Sequence, residues 1–247
     1  MMLRLMAVAV AVATSLLVPL SAPATARTCA PPPATIAPSP LEPVAAATSP
    51  VTTETSVHWT RVSKRVTHGD TALLEGQVVT EDGAIAGADV DLFARSSGEQ
   101  DWILVASTTS DDDTGVFAFG CLLPTRTTTY RAVYSGTLTF AASEGTRQVD
   151  VTRWMPDSMR QVSHSRFVYA GSVEPRFDGS VTLQRRNCAS CAWRIVAVDV
   201  TDARSGWHFT INTSRLRAGE YSYRAMIPAD ERFGRSLSDR AWRIRVR

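Results

Sequence analysis

The sequence predicts an all-β protein built from two tandem β-sandwich domains. Residues 74–151 and 169–246 follow one pattern of glycines, strand residues and tryptophans. A residue of the second copy lies 95, then 91, then 93 positions after its counterpart in the first copy as the pattern proceeds along the chain. A repeat of this length is a whole small domain, because solenoid units run at about 20–50 residues. Apolar and polar residues alternate in short runs, which is the period of a half-buried strand. Residues 56–247 contain no convincing run with helical spacing.

The N-terminal segment is expected to be an export signal followed by a linker. Arg4 precedes an apolar run from Leu5 to Leu20, and Ala24-Thr25-Ala26 is a small-residue cleavage site. This pattern predicts a signal peptide over residues 1–26. A retained membrane anchor is less favoured, because the run is shorter than the roughly 20 residues that span a bilayer. Residues 27–55 are rich in Pro, Ala and Thr and are expected to form an extended linker.

The first domain, acidic in charge, is predicted over residues 56–152. Residues 72–79 form a strand that ends at a turn over 81–83, and the run 88–95 alternates apolar residues with Asp89, Asp91 and Arg95. Further strands are predicted at 102–105, 116–119, 130–134 and 147–151. A single sheet of such strands cannot bury its apolar face, so the pattern predicts two packed sheets.

The second domain, basic in charge, is predicted over residues 153–247 by the same logic. Strands are expected at 180–185 and 193–198, followed by Trp207, Phe209 and Ile211 on one face. In the last strand, Trp242, Ile244 and Val246 are predicted to point inward and three arginines outward.

These motifs carry a family resemblance. Residues 76–78, 87–92 and 113–119 resemble the G-x-V, G-A-x-V-x-L and D-x-G-x-F-x-F pattern of bacterial immunoglobulin-like (Ig-like) and carboxypeptidase-regulatory-like (transthyretin-like) modules. The R-x6-W spacing, at Arg95 to Trp102 and Arg186 to Trp193, is similar to Ig-like repeats of secreted proteins from high-GC bacteria. The resemblance implies two Ig-like β-sandwiches. It says little about function, because such modules are attached to many different proteins.

The four cysteines are expected to form two disulfides. Cys188 and Cys191 fall at the tip of a hairpin, and export favours an oxidised, structural bridge there. A redox-active pair is the alternative, and it needs a lowered thiol pKa. A zinc site needs a second ligand pair, which the sequence lacks. Cys29 and Cys121 remain and are predicted to bridge the linker to the first domain.

No arrangement of residues points to catalysis, a metal or a cofactor. The four histidines are scattered, and neither a nucleophile elbow nor a phosphate-binding loop occurs. Asp111-Asp112-Asp113 lacks the distributed ligands of a calcium loop and is interpreted as a solvated turn.

The tryptophans leave a carbohydrate-binding interpretation open. Alternation along the strands assigns four tryptophans to the inward face, so they are expected in the cores: Trp102, Trp193, Trp207 and Trp242. Trp59 and Trp154 open the two domains and are less certain.

Charge is divided between the halves of the chain. Residues 51–152 carry 7 basic and 14 acidic side chains, whereas residues 153–247 carry 17 basic and 9 acidic ones. The halves therefore have net charges of −7 and +8, which is an argument about association rather than fold. The arginines expected to bind an anionic partner are Arg185, Arg186, Arg194, Arg215, Arg217, Arg243, Arg245 and Arg247.

Together these features indicate a secreted, non-enzymatic binding or structural module at the bacterial cell surface. The expected partner is a protein or an anionic cell-envelope polymer, and charge-driven self-association is a further expectation. Nucleic acid is disfavoured by export, and no membrane segment is expected after removal of the signal. The alternatives are a thiol–disulfide redox protein that uses Cys188 and Cys191, and a polysaccharide-binding protein.

Overall fold

The computed structural model describes residues 52–247, which form strands and connecting loops. Strands make up 59% of the structure, and the described part contains no helix, so the all-β prediction is confirmed. Accordingly, these residues contain no helix long and apolar enough to cross a membrane. The predicted signal peptide and the linker up to residue 51 lie outside the described residues. Within the predicted linker, the Thr53 N–H donates to the Thr139 carbonyl at 2.8 Å, so this residue is bonded to the first sandwich.

Nine strands form the first sandwich. They are β1 (Ser56–Val62), β2 (Arg65–Thr67), β3 (Ala72–Thr80), β4 (Gly83–Ala84), β5 (Asp89–Ser96), β6 (Ile103–Thr109), β7 (Val116–Leu122), β8 (Thr128–Tyr134) and β9 (Ser143–Thr152). In the smaller sheet β3 pairs with β1, β4 and β7, and the larger sheet has the order β2-β9-β8-β5-β6. All pairs are antiparallel except β2 with β9.

Eight strands form the second sandwich. They are β10 (Asp157–Ser163), β11 (Arg166–Ser172), β12 (Ser180–Arg186), β13 (Arg194–Val200), β14 (Gly206–Asn212), β15 (Gly219–Ile227), β16 (Ser236–Leu237) and β17 (Trp242–Val246). The smaller sheet has the order β10-β11-β14. In the larger sheet β13 pairs with β12, β12 with β15, and β15 with both β16 and β17.

The two sandwiches share the same register of strand pairing over much of their length. Leu92 on β5 lies opposite Ala106 on β6, and Leu183 on β12 lies opposite Ala197 on β13, with a bulge directly beyond each pair. The predicted repeat spacing of 93 positions was wrong by two residues for the last strands. Thr128 on β8 and Tyr221 on β15 are counterparts in the two copies. Val149 lies opposite Thr128 and Ile244 lies opposite Tyr221, so Ile244 corresponds to Val149 and not to Val151. The reason is that β9 is continuous whereas the second copy breaks between β16 and β17.

Each sandwich has its own hydrophobic core. The first core is built around Leu74, Leu92 and Phe117, all fully buried. The second is built around Tyr169 and Tyr223, with Trp207, Phe209 and Ile211 buried as predicted. In the last strand Ile244 is buried, and Trp242 and Val246 pack against the same core, which confirms their inward orientation.

Trp102 and Trp193 are not core residues, and their predicted placement was wrong. Both are half-buried and precede β6 and β13 instead of belonging to them. Each of these strands contains a bulge, and the extra residue reverses which side chains point inward. Simple alternation of inward and outward residues along the strand therefore places the tryptophan before the bulge on the wrong face. The guanidinium groups of Arg95 and Arg131 instead contact the Trp102 ring, each 4.6 Å from its centre.

The segment 230–236 of the second sandwich bonds directly to the first. The Thr127 N–H donates to the Arg232 carbonyl and the Gly234 N–H donates to the Val151 carbonyl, both at 2.8 Å. On the short connection between β9 and β10, the Arg153 N–H donates to Ser236 Oγ at 2.7 Å. A hydrogen-bonded junction therefore joins the two cores.

Arg153 is the central side chain of this junction. It is only 7% exposed, and its Nη2 lies 2.8 Å from Asp230 Oδ2. Its guanidinium group lies 4.7 Å from the ring centre of Phe177 and 4.1 Å from that of Phe233. Burial raises the pKa of Asp230, but the N–H groups of Arg232 and Phe233 and the Arg153 charge outweigh it, so the pKa lies below its ordinary value.

Candidate functional site

One end of the second sandwich is rich in arginines. Strands β10, β12 and β14 end there, and β11, β13 and β15 begin there. Three loops, 163–166, 187–193 and 213–218, together with residues 245–247, form this surface, which we call the basic end. The Thr213 N–H donates to the Ser165 carbonyl at 2.8 Å, which joins two of the loops. Because β15 has 9 residues, the basic end lies about 26 Å from the junction with the first sandwich.

The basic end contains arginines and no acidic residue. Its loops and C-terminal segment carry no Asp or Glu. Arg243 lies beside it on β17, and the other predicted arginines are in it or at its edge: Arg185, Arg186, Arg194, Arg215, Arg217, Arg245 and Arg247. Of these eight, within the described part of the chain, only Arg243 has a carboxylate partner, Glu220 at 3.8 Å. The positive charge at this end is therefore largely uncompensated.

Two basic residues of this end were missed by the sequence reasoning. Arg166 follows the turn between β10 and β11, and His164 lies within that turn; both are exposed. The sequence analysis predicted neither β10 nor β11, so it did not place the turn between them beside the other loops. The register of the repeat could have located it, since β10 and β11 correspond to β1 and β3 of the first copy.

A cleft of about 610 Å³ opens at the basic end. Arg245 and Arg247 line it together with His164, Gln161 and Ser214, and Phe167 contributes an apolar wall. Guanidinium, amide and hydroxyl donors around a partly apolar wall suit an anionic group carried on a larger molecule. A second depression, of about 620 Å³, lies beside β2 in the first sandwich. There Arg65 lies 4.0 Å from Asp150, so the charge is balanced.

Some arginines near the basic end have structural contacts. Arg186 and Arg224 lie over the ring of Trp193, at 4.6 and 4.1 Å from its centre, as two arginines do for Trp102 in the first sandwich. Arg186 Nη1 also donates to the Ala189 carbonyl at 2.8 Å. Burial, with nearby Arg235 and Arg186, lowers the pKa of Arg224. Of the eight predicted arginines, those that are exposed and have no carboxylate partner among the described residues are Arg194, Arg215, Arg217, Arg245 and Arg247.

The predicted bridge between Cys188 and Cys191 is present and closes the loop between β12 and β13. A strand precedes and follows this loop, so no helix N-terminus is available there to lower a thiol pKa. Cys121 is disulfide-bonded as well. Its predicted partner, Cys29, lies outside the described residues.

The aspartate run forms a capped turn. The Asp111 carboxylate accepts the N–H groups of Thr114 at 2.8 Å and Asp113 at 3.1 Å, and the Thr114 hydroxyl also donates to it. These hydrogen bonds, led by that of the Thr114 N–H, lower the pKa of Asp111. The described residues contain no group of three or more His, Cys, Asp or Glu side chains that could hold a metal ion.

Fold and surface thus define an all-β, two-sandwich protein with a basic end. No family model matches the sequence, and no curated protein matches it. The Ig-like or transthyretin-like assignment therefore stays a prediction.

Several solved structures match this chain. One is a DUF4785 family protein from Legionella pneumophila, at a TM-score of 0.50 and 8% identity over 75% of this chain and 54% of that one. A tetra-tandem repeat in the extending region of a large adhesion protein matches at a TM-score of 0.35 and 16% identity, over 78% and 49%. A 1.5-MDa bacterial ice-binding adhesin matches at 0.28 and 10%, over 76% and 63%. The chain thus spans about half to two thirds of those chains, and at these identities the likeness concerns the fold alone.

Proposed function

We propose that this protein is an exported, non-enzymatic binding module that attaches to an anionic partner at the bacterial cell surface through its basic end. The proposal rests on five exposed arginines that have no carboxylate partner within the described residues: Arg194, Arg215, Arg217, Arg245 and Arg247. Guanidinium groups pair with phosphate and carboxylate in a two-pronged geometry. The partner class is therefore an anionic cell-envelope polymer or an acidic protein.

The distribution of charge supports this orientation. The first half of the chain has a net charge of −7, and the second has +8. An anionic polymer is repelled by the first sandwich and attracted to the second. Since the junction occupies the opposite end of the second sandwich, the basic end is left accessible.

The proposal is tested by binding of the mature chain to immobilised long-chain polyphosphate and to purified anionic cell-wall polymer at increasing salt. Binding is expected to weaken steeply, because the Debye length falls from about 10 Å at 0.1 M to about 3 Å at 1 M ionic strength. Uncharged dextran serves as the comparison surface. Equal binding to dextran, or binding that salt leaves unchanged, contradicts the proposal.

A pair of matched variants locates the surface. Arg215→Gln with Arg217→Gln removes two charges from the basic end. Arg204→Gln with Arg232→Gln removes two exposed charges near the junction. The first variant is expected to bind about 2- to 30-fold more weakly, because an exposed ion pair contributes about 0.2–1 kcal/mol. The second should bind like the wild type. Equal losses in both variants argue against a localised site.

The two alternative functions have less support. For carbohydrate binding, two arginines already lie over the ring of each of Trp102 and Trp193, where they would compete with a stacked sugar. For redox chemistry, a disulfide substrate would have to be turned over by wild type and not by Cys188→Ser. Such turnover would replace the binding proposal with an enzymatic one.

A further inference from the structure

The outer strands of the two large sheets have one unpaired side. In the described residues, β6 is the last strand of the larger sheet in the first sandwich, and β13 is the last strand of the larger sheet in the second. Each strand has 7 residues and the same sequence of exposed and half-buried positions. A free edge presents backbone N–H and C=O groups that can pair with another strand.

These two edges also carry most of the exposed large hydrophobic side chains among the described residues. Eleven large hydrophobic side chains are exposed among residues 52–247, and seven of them lie on β6 and β13. They are Ile103, Leu104 and Val105 on β6, and Ile195, Val196, Val198 and Val200 on β13. Single exposed hydrophobic residues need no explanation, but rows of them along free edges indicate a contact surface.

The first sandwich shows that the fold does not require valines at these positions. Ser107 and Thr109 occupy on β6 the register that Val198 and Val200 occupy on β13. The Ser107 hydroxyl donates to Asp91 at 2.5 Å, and the Thr109 hydroxyl donates to the neighbouring Asp89 at 2.8 Å. In the second sandwich the same register leaves Val198 60% and Val200 63% exposed.

We propose that β13 of one molecule pairs with β6 of a second copy of this chain in antiparallel orientation. This orientation places Val198 and Val200 beside the apolar segment 103–105. It also places Arg194, at the other end of β13, beside the carboxylates of 111–113, which follow β6. Val198 and Val200 then meet apolar residues and positive charge meets negative charge, whereas Ile195 and Val196 lie beside the polar residues Thr108 and Ser107. Two β13 edges cannot match in this way, because the valines of one would lie beside Arg194 of the other.

The contact is heterologous, since each chain contributes a different strand. Every molecule has one edge of each kind, so the contact repeats and builds rings or chains of molecules. The net charges of −7 and +8 on the two halves favour encounters between unlike halves of different molecules.

The test is complementation of two edge variants of the mature chain, followed by sedimentation velocity over a range of concentrations. Val198→Lys with Val200→Lys blocks β13, and Ile103→Lys with Leu104→Lys blocks β6. Each variant alone is expected to self-associate at least about tenfold more weakly than wild type, because a charge in an apolar contact must be desolvated. An equimolar mixture is expected to form a one-to-one complex, since each variant supplies the edge that the other lacks. Leu138→Lys, at an unrelated position that is 84% exposed, is the control and should associate like wild type.

Three results would overturn the proposal: a wild-type protein that stays monomeric at all soluble concentrations, a single edge variant that still self-associates like wild type, or a mixture that fails to recombine. Thermal unfolding of each variant verifies that it is folded. If the lysine variant of β13 is not folded, Val198→Ser with Val200→Thr replaces it. These residues are the ones that the first sandwich carries at the same register, and the same loss of self-association is expected.

Discussion

Gly171→Ala is expected to destabilise the second sandwich by about 1–2 kcal/mol. Gly171 lies opposite Trp207. A Cβ atom at Gly171 would lie 2.3 Å from the carbonyl oxygen of Pro156 and 2.6 Å from Trp207 Cζ2. Neither neighbour moves freely, because the Pro156 oxygen accepts the Ser172 N–H and the tryptophan is buried. Overpacking of this kind costs about 1–3 kcal/mol, of which the reduced entropy of the unfolded chain offsets about 0.4–1 kcal/mol.

The chain supplies a matched pair of comparisons for this prediction. Gly76, the counterpart in the first sandwich, has the His58 carbonyl oxygen and Phe117 Cζ each 2.6 Å from its ideal Cβ, so Gly76→Ala should destabilise that sandwich similarly. Gly120 on β7 has no heavy atom within 4 Å. Gly120→Ala should therefore be neutral or stabilise by up to about 1 kcal/mol. Urea unfolding followed by tryptophan fluorescence measures all three. If Gly171→Ala unfolds at the same or a higher urea concentration than wild type, the steric reasoning is wrong.

Three further substitutions test the junction, the second core and the disulfide loop. Asp230→Asn removes the carboxylate that pairs with Arg153 and should cost about 1–3 kcal/mol at pH 7. Because the folded pKa of Asp230 is lowered from 3.8, its contribution is present above that pH and is lost as the pH falls through the folded pKa. Stability measured from pH 7 to 3 should therefore fall less in the variant, and parallel curves would count against this linkage. Tyr169→Phe deletes a buried hydroxyl that bonds to two side chains at 2.7 and 2.8 Å; a loss of about 1–3 kcal/mol in thermal unfolding is expected, and no loss would mean that water replaces it. Replacing Cys188 and Cys191 by serine should cost at most about 2 kcal/mol, because so short a loop constrains the unfolded chain little; a larger loss in urea unfolding would show that the bridge also shapes the fold.

The sequence predicted the strands whose apolar residues alternate without interruption. β5, β12 and β17 are of this kind, and their inward residues are buried or pack against the cores as expected. It did not predict the side on which Trp102 and Trp193 lie, because one extra residue in a bulge inverts every earlier position. The hairpin of β10 and β11 was missed since β10 is mostly exposed and polar. A strand of that kind forms because its neighbour pairs with it, which periodicity cannot reveal.

The gathering of the arginines could be predicted only in part. Alternation correctly sets Arg243 and Arg245 opposite to Ile244 on β17. That these arginines lie near loop 213–218 depends on the pairing of β17 with β15, where Val246 lies opposite Gly219. Such pairing joins segments far apart in the chain. The composition indicated that the second half of the chain is basic. The strand pairing brings many of its arginines together at one end of the sandwich.

The repeat itself separates what the fold requires from what it does not. Because Ile244 corresponds to Val149, the second copy carries Arg243, Arg245 and Arg247 where the first carries Gln148, Asp150 and Thr152. In the first sandwich this end is occupied, since its Thr127 and Val151 bond to the second sandwich. In the second sandwich the same end faces no other described part of the chain. It carries arginines at the positions where the first sandwich carries neutral and acidic side chains. The first sandwich uses this end for a contact, whereas the second sandwich leaves it exposed and lines it with arginines. We therefore expect a partner to bind at this end of the second sandwich.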